Sequence, residues 1–215
     1  MRSIWSSGLI LRGDALPPTR RAEHTMGMPA QAKQWTGDQV RVLIDETRPW
    51  PRYELIDGEL LVTPGPSHDH QEGVMRLWRS LDDYVRTQRI GWAFVSPSDV
   101  ELAPDTIVQP DVFVTPLVNG RRPMGRMRIR ALLLAVEVLS PGSARHDRVT
   151  KRRFYQRAGV PEYWIIDLDA RTIERWCGAD ERAELVDDRL EWRPDGAGEP
   201  LVLDVERYFA EVNDG

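Results

Sequence analysis

Three charged side chains stand where this chain would ordinarily bury apolar ones. Residues 131–139 (ALLLAVEVL) are apolar at alternate and intervening positions alike, the pattern of a central strand covered on both faces, yet Glu137 sits inside the run. Upstream, Val108-Gln-Pro-Asp111-Val-Phe-Val reads as another strand with Asp111 within it, although strands disfavour Asp. A buried carboxylate is costly unless it neutralises, pairs or binds a cation. Two carboxylates on neighbouring strands can converge on one Mg²⁺, which takes oxygen ligands at about 2.0–2.1 Å and keeps several waters. The Val138 carbonyl is placed to be a third oxygen. Each acid also has a plainer reading, Glu137 as the partner of an arginine at a strand end and Asp111 as the turn-like start of its strand.

The next segment adds a cation. In 145–158, Asp147, Lys151, Phe154, Tyr155 and Ala158 fall at i, i+4, i+7, i+8 and i+11, one stripe of a helix. The aromatic residues make that stripe the buried one, so Lys151 points inward, where a lysine needs a task or a partner. Either Asp147 and Lys151 form an i,i+4 ion pair at the helix start, or Lys151 reaches the carboxylates and polarises a water or a phosphate oxygen.

These groups need a scaffold. Thr36-Gly-Asp-Gln39 has capping-box spacing and predicts a short helix over 37–46, stopped by Trp50-Pro51. Residues 53–63 (YELIDGELLVT) predict a hairpin with a type I′ turn at Asp57-Gly58. That register pairs Leu55 with Leu60 and Tyr53 with Val62 on one face, and leaves Glu54, Ile56, Glu59 and Leu61 on the other. Val74, Leu77, Trp78, Leu81, Tyr84 and Val85 recur at helical spacing and predict a long helix over 69–89, with His70 in its first turn. Strands are expected at 92–95, 99–103, about 107–114, 131–139, 162–168 and 172–177, with short edge strands at 185–186, 190–192 and 201–203 and a terminal helix over 205–212. The mixture is α/β or α+β.

Composition narrows the class. The 215 residues carry 41% apolar and 29% charged side chains, a globular mix. No apolar run approaches the roughly 18–20 residues that span a bilayer. One cysteine, Cys177, allows no internal disulfide and fits a reducing, cytoplasmic setting. A net charge of −5 argues against coating nucleic acid by bulk charge. Basic residues are local instead: 120–130 (GRRPMGRMRIR) holds five arginines and no acid, and with the arginine-rich helix it could form a positive rim around the acids. Residues 1–30 read differently from the rest, a weak signal-peptide lookalike followed by Pro17, Pro18, Arg20 and Arg21, and are expected to be a disordered leader outside a single domain over 31–215.

Taken together, Pro110-Asp111, Glu137-Val-Leu-Ser-Pro141, Asp147…Lys151…Tyr155 and Gly159-Val-Pro-Glu-Tyr-Trp-Ile-Ile-Asp167 resemble the Uma-two family of the restriction-endonuclease-like PD-(D/E)XK superfamily. The hairpin Tyr53-Glu-Leu-Ile-Asp-Gly-Glu59 and His70 match its N-terminal part, so the resemblance covers roughly 36–177. It implies a central mixed β-sheet flanked by helices, and Mg²⁺-dependent hydrolysis of DNA phosphodiesters, Mn²⁺ being a possible substitute. Asp111 and Glu137 would hold the ion, and Lys151 would support the attacking water or the charge on phosphorus. The superfamily pattern places lysine two residues after the strand Glu. Here that position is Leu139, and the resemblance implies that Lys151 has taken over the role.

The resemblance also implies a homodimer and an additional acid from the N-terminal part, for which Glu54 is preferred over Glu59. His70 could touch a phosphate or the water shell of the metal, or serve only as a packing or capping residue. A catalytically inactive relative that binds nucleic acid or protein is the first alternative, prompted by Leu139. A carboxylate-pair glycosidase is a weaker one.

Overall fold

A computed structural model describes residues 34–47, 50–125 and 127–213. The leader expected at 1–30 lies outside the described residues. The chain opens with helix α1 (Gly37–Thr47), whose capping box forms as the spacing predicts: Gln39 N donates to Thr36 Oγ1 at 3.4 Å and Thr36 N to Gln39 Oε1 at 3.1 Å. Strands β1 (Arg52–Ile56) and β2 (Glu59–Thr63) pair in the expected register, Leu55 with Leu60 and Tyr53 with Val62. Asp57 and Gly58 both take positive φ, 52° and 79°, as a type I′ turn requires. Helix α2 (His68–Gln88) starts on Ser67, whose side chain accepts from His70 N, and ends on Arg89 in the left-handed region.

The central sheet has the order β3-β4-β5-β6-β7-β8, formed by Gly91–Val95, Val112–Pro116, Leu134–Val138, Glu162–Asp167, Thr172–Cys177 and Glu184–Val186. It is mixed: β5 and β6 are parallel and the other neighbours antiparallel. A parallel pair needs a crossover, supplied by a π-wound segment (His146–Lys151) that runs into α3 (Arg152–Arg157). β9 (Arg189–Trp192) and β10 (Leu201–Asp204) form a separate antiparallel pair, and α4 (Val205–Asn213) closes the chain.

Alternation along the strands sorts the core into two layers. Val112, Val114, Leu134, Val136, Trp164 and Ile166 face the layer that holds Leu77, Leu81 and Val85 of α2. Phe113, Ala135, Tyr163 and Ile165 face Phe154 and Tyr155 of the crossover. Glu137 shares the parity of Ala135 and so projects toward the crossover. In the β4–β5 pair Val112 stands opposite Val136. One further step of that antiparallel register sets Asp111 across from Glu137.

The structure departs from the sequence reading at three places. Residues 99–103 are not a strand. Only isolated bridges join Val100 to Val108 and to Ile129, because the chain loops here instead of following a sheet edge. The strand expected over 107–114 breaks at Gln109-Pro110 and resumes at Val112, so Asp111 precedes β4. Proline has no N–H to give to a ladder. The crossover helix begins with wider, i→i+5 bonding, as in Arg152 N to Asp147 O.

Candidate functional site

The hairpin, α2, the residue before β4, β5 and the crossover deliver their polar side chains to one buried cluster. Lys151, 3% exposed, is its centre. Its Nζ lies 2.9 Å from Glu54 Oε2, 2.9 Å from Glu137 Oε1 and 3.6 Å from Asp147 Oδ1. The i,i+4 contact with Asp147 is thus the longest of the three. Lys151 therefore contacts Glu54 and Glu137 as well as Asp147, so the two arrangements that the stripe left open occur together. Glu54 is 1% exposed, and its Oε1 accepts from Gln109 N at 2.7 Å, whereas Glu59 beside the turn is exposed. Tyr155 donates its hydroxyl to Glu137 Oε1 at 3.3 Å.

Asp111 forms the other half. Its Oδ1 accepts from Arg52 Nη1 at 2.7 Å. Its Oδ2 accepts from Val138 N at 2.9 Å and lies 3.1 Å from His70 Nε2. The Val138 main chain therefore meets Asp111 through its N–H, while the expectation for Val138 concerned its carbonyl. His70 is more than a capping residue, since its ring holds Asp111. Arg52 was missed. Its signal is alternation: Arg52, Glu54 and Ile56 occupy one face of β1 and all three are buried.

Charge balance sets the protonation states. Burial alone raises the Asp111 carboxyl, but the His70 hydrogen bond and the Arg52 guanidinium outweigh it and hold Asp111 below the usual carboxylate range. Glu137 moves the other way. Burial raises it well above the ordinary value against the pull of Lys151, and the neighbouring carboxylates Asp111, Asp147 and Glu54 add to the rise. Asp147 is raised by burial too. Burial opposes the Lys151 ammonium, yet Glu137, Glu54 and Asp147 together hold its proton well above the ordinary lysine value. The cluster is acid-rich and keeps Lys151 charged.

Asp111, Glu137, Asp147, Lys151, Arg52 and His70 all line one cleft of about 710 Å³. Ser140–Ser143, the small-residue loop after β5, forms part of its wall. Among the described residues, Arg121, Arg122, Arg128 and Arg130 do not line it, correcting the expected rim. Arg122 instead stands 5.2 Å over the Trp92 ring, and Arg128 pairs with Glu101 at 3.2 Å. Among the described residues the cleft's arginines are Arg52 and Arg148, and Arg148 is held by Asp167 and Glu174 at 2.9 and 2.6 Å. Asp167 serves the turn as well, accepting from Ala170 N at 2.9 Å.

Among the described residues, no three or more His, Cys, Asp or Glu side chains are spaced as a ready-made metal cage. The cleft does offer carboxylate oxygens, the donor type that a hard cation takes, and Asp147 Oδ1 is buried with no hydrogen-bond partner.

Residues 38–205 match the family model described as "Uma2: Putative restriction endonuclease". A solved structure of "a putative nuclease belonging to DUF820" from Anabaena variabilis is similar with a TM-score of 0.68 and 22% identity, over 80% of this chain and 98% of that one. That likeness is one of fold. None of the curated proteins matches the chain.

Proposed function

From the chain's membership of the Uma2 family, within the PD-(D/E)XK superfamily, we propose that it is a metal-dependent endonuclease that hydrolyses DNA phosphodiester bonds. One observation carries the reading: Asp111 before β4, Glu137 on β5 and Lys151 on the crossover line the same cleft. Asp111 and Glu137 are the residues that would hold Mg²⁺ or Mn²⁺, with water completing the coordination. A bound divalent ion supplies a water of lowered pKa and positive charge for the scissile phosphate.

The protein's own groups do the rest. Arg52, His70 and the Val138 N–H fix both Asp111 oxygens, so the carboxylate is ionised and oriented before any substrate arrives. Tyr155 and Lys151 hold Glu137 Oε1. The Lys151 ammonium, kept charged by three acids, orients the attacking water and offsets charge developing on phosphorus. It enters from the crossover because Leu139 leaves the strand position without an amine. Glu54 fixes Lys151 from the hairpin side.

The test is nicking of supercoiled plasmid with and without Mg²⁺ or Mn²⁺, using wild type, Asp111→Ala and Lys151→Ala. Metal-dependent nicking lost in both variants supports the proposal. Salt-sensitive DNA binding without nicking supports a binding-only relative instead.

A further inference from the structure

We propose that a second pocket beside the cleft, built on Trp50, receives a single unpaired nucleobase of the DNA and so helps to select where the chain is cut. The proposal rests on the nuclease reading and deepens it.

The pocket holds about 170 Å³, room for one planar ring and not for a base pair. Its wall is apolar: the Trp50 indole, Val74, Met75 and Val95. Met75 is 41% exposed on a helix whose other large apolar residues turn inward. The indole is anchored by the Arg52 guanidinium, 5.2 Å from its ring centre. Aromatic and thioether surfaces favour a flat, polarizable partner.

Position identifies the partner. His70 and Asp111 line this pocket and the larger cleft alike. A ring seated against Trp50 is therefore next door to the carboxylate that the hydrolysis uses. A nucleotide whose phosphate lies at Asp111 has its own base, or the adjacent one, within reach of that ring. Gln71 stands exposed at the pocket's edge, and its amide can both donate to and accept from a base edge. Arg52 links the two places physically, touching Asp111 with Nη1 while its guanidinium packs on Trp50. Stacking on an aromatic side chain tolerates any base, and an amide at the edge adds preference.

The experiment measures equilibrium binding of a fluorescein-labelled single-stranded DNA 12-mer by anisotropy, with Ca²⁺ replacing Mg²⁺ so that cleavage does not enter. An abasic residue is walked along the strand. Wild type should lose about tenfold in affinity at one position. Trp50→Ala should bind as weakly as wild type does to that abasic strand, and should be indifferent to the abasic residue there. Trp50→Phe should recover most of the affinity, which separates stacking from misfolding. A 2-aminopurine placed at that position should be quenched on binding wild type and not on binding Trp50→Ala. DNA binding by wild type with no position whose loss Trp50→Ala abolishes overturns the pocket and leaves the nuclease reading intact. Metal-dependent nicking with no detectable single-strand binding also overturns it. No DNA binding and no nicking overturns both.

Discussion

Lys151 Nζ lies 2.9 Å from Glu137 Oε1, so an ammonium returns across the sheet's parallel crossover to the strand its own segment has just left. Neither group would be stable there alone. The contact joins β5 to the π-wound segment, and both side chains line the cleft, so one interaction serves the fold and shapes the cleft.

Removing the ammonium should be the most damaging single change in the cluster. Lys151→Met leaves Glu54, Glu137 and Asp147 buried without their shared cation. Urea unfolding should show a loss of about 3–5 kcal/mol. Adding Glu137→Gln should recover part of it, because the two residues are directly coupled. Strict additivity of the two changes would contradict the geometry.

Asp111 predicts a particular acid response. Its folded-state carboxyl titrates below its ordinary value of 3.8, so its contribution to stability is complete above about pH 5 and disappears as pH falls through the lower folded value. Asp111→Asn removes that contribution and leaves Arg52 buried without its carboxylate. The Tm gap between wild type and variant should be widest above about pH 5 and should narrow steadily below pH 4. A gap that widens on acidification would show the sign to be wrong.

Much of this was legible in the sequence, for reasons that differ by residue. The hairpin was readable because Asp57-Gly58 fixes the turn, and the turn fixes the register. Lys151 was readable because its stripe also carries Phe154 and Tyr155. Arg52 is harder to see because it precedes Tyr53, one residue outside the apolar run that marks the hairpin. The π-wound start of the crossover leaves no mark in composition. The arginines of 120–130 looked like a rim because they are near Asp111 and Glu137 in sequence, but loop position is set by tertiary packing, and Arg122 went to Trp92.

Gly91 tests the sheet independently of the site. A Cβ there would come within 2.6 Å of the Thr115 carbonyl oxygen on the paired strand β4. That atom is backbone and cannot swing aside. Gly91→Ala should cost about 1–3 kcal/mol by urea denaturation, with plasmid nicking per folded molecule unchanged. A neutral substitution would mean that β3 does not approach β4 as described.

Tyr155→Phe probes the hold on Glu137 without changing charge. Losing the hydroxyl removes one hydrogen bond at 3.3 Å and should cost about 1 kcal/mol. Nicking should slow while the Mn²⁺ concentration for half-maximal rate rises, because Glu137 is then less well oriented. A variant slower in nicking at unchanged Mn²⁺ dependence would separate Tyr155 from the ion.

The central claim, that Asp111 and Glu137 hold one divalent ion beside Lys151, is tested most directly by an anomalous difference map from crystals soaked in Mn²⁺. The account predicts a single strong peak within coordination distance of both carboxylates, absent from Asp111→Asn crystals. A cleft without a peak at saturating Mn²⁺, or a peak that persists in Asp111→Asn, would contradict it.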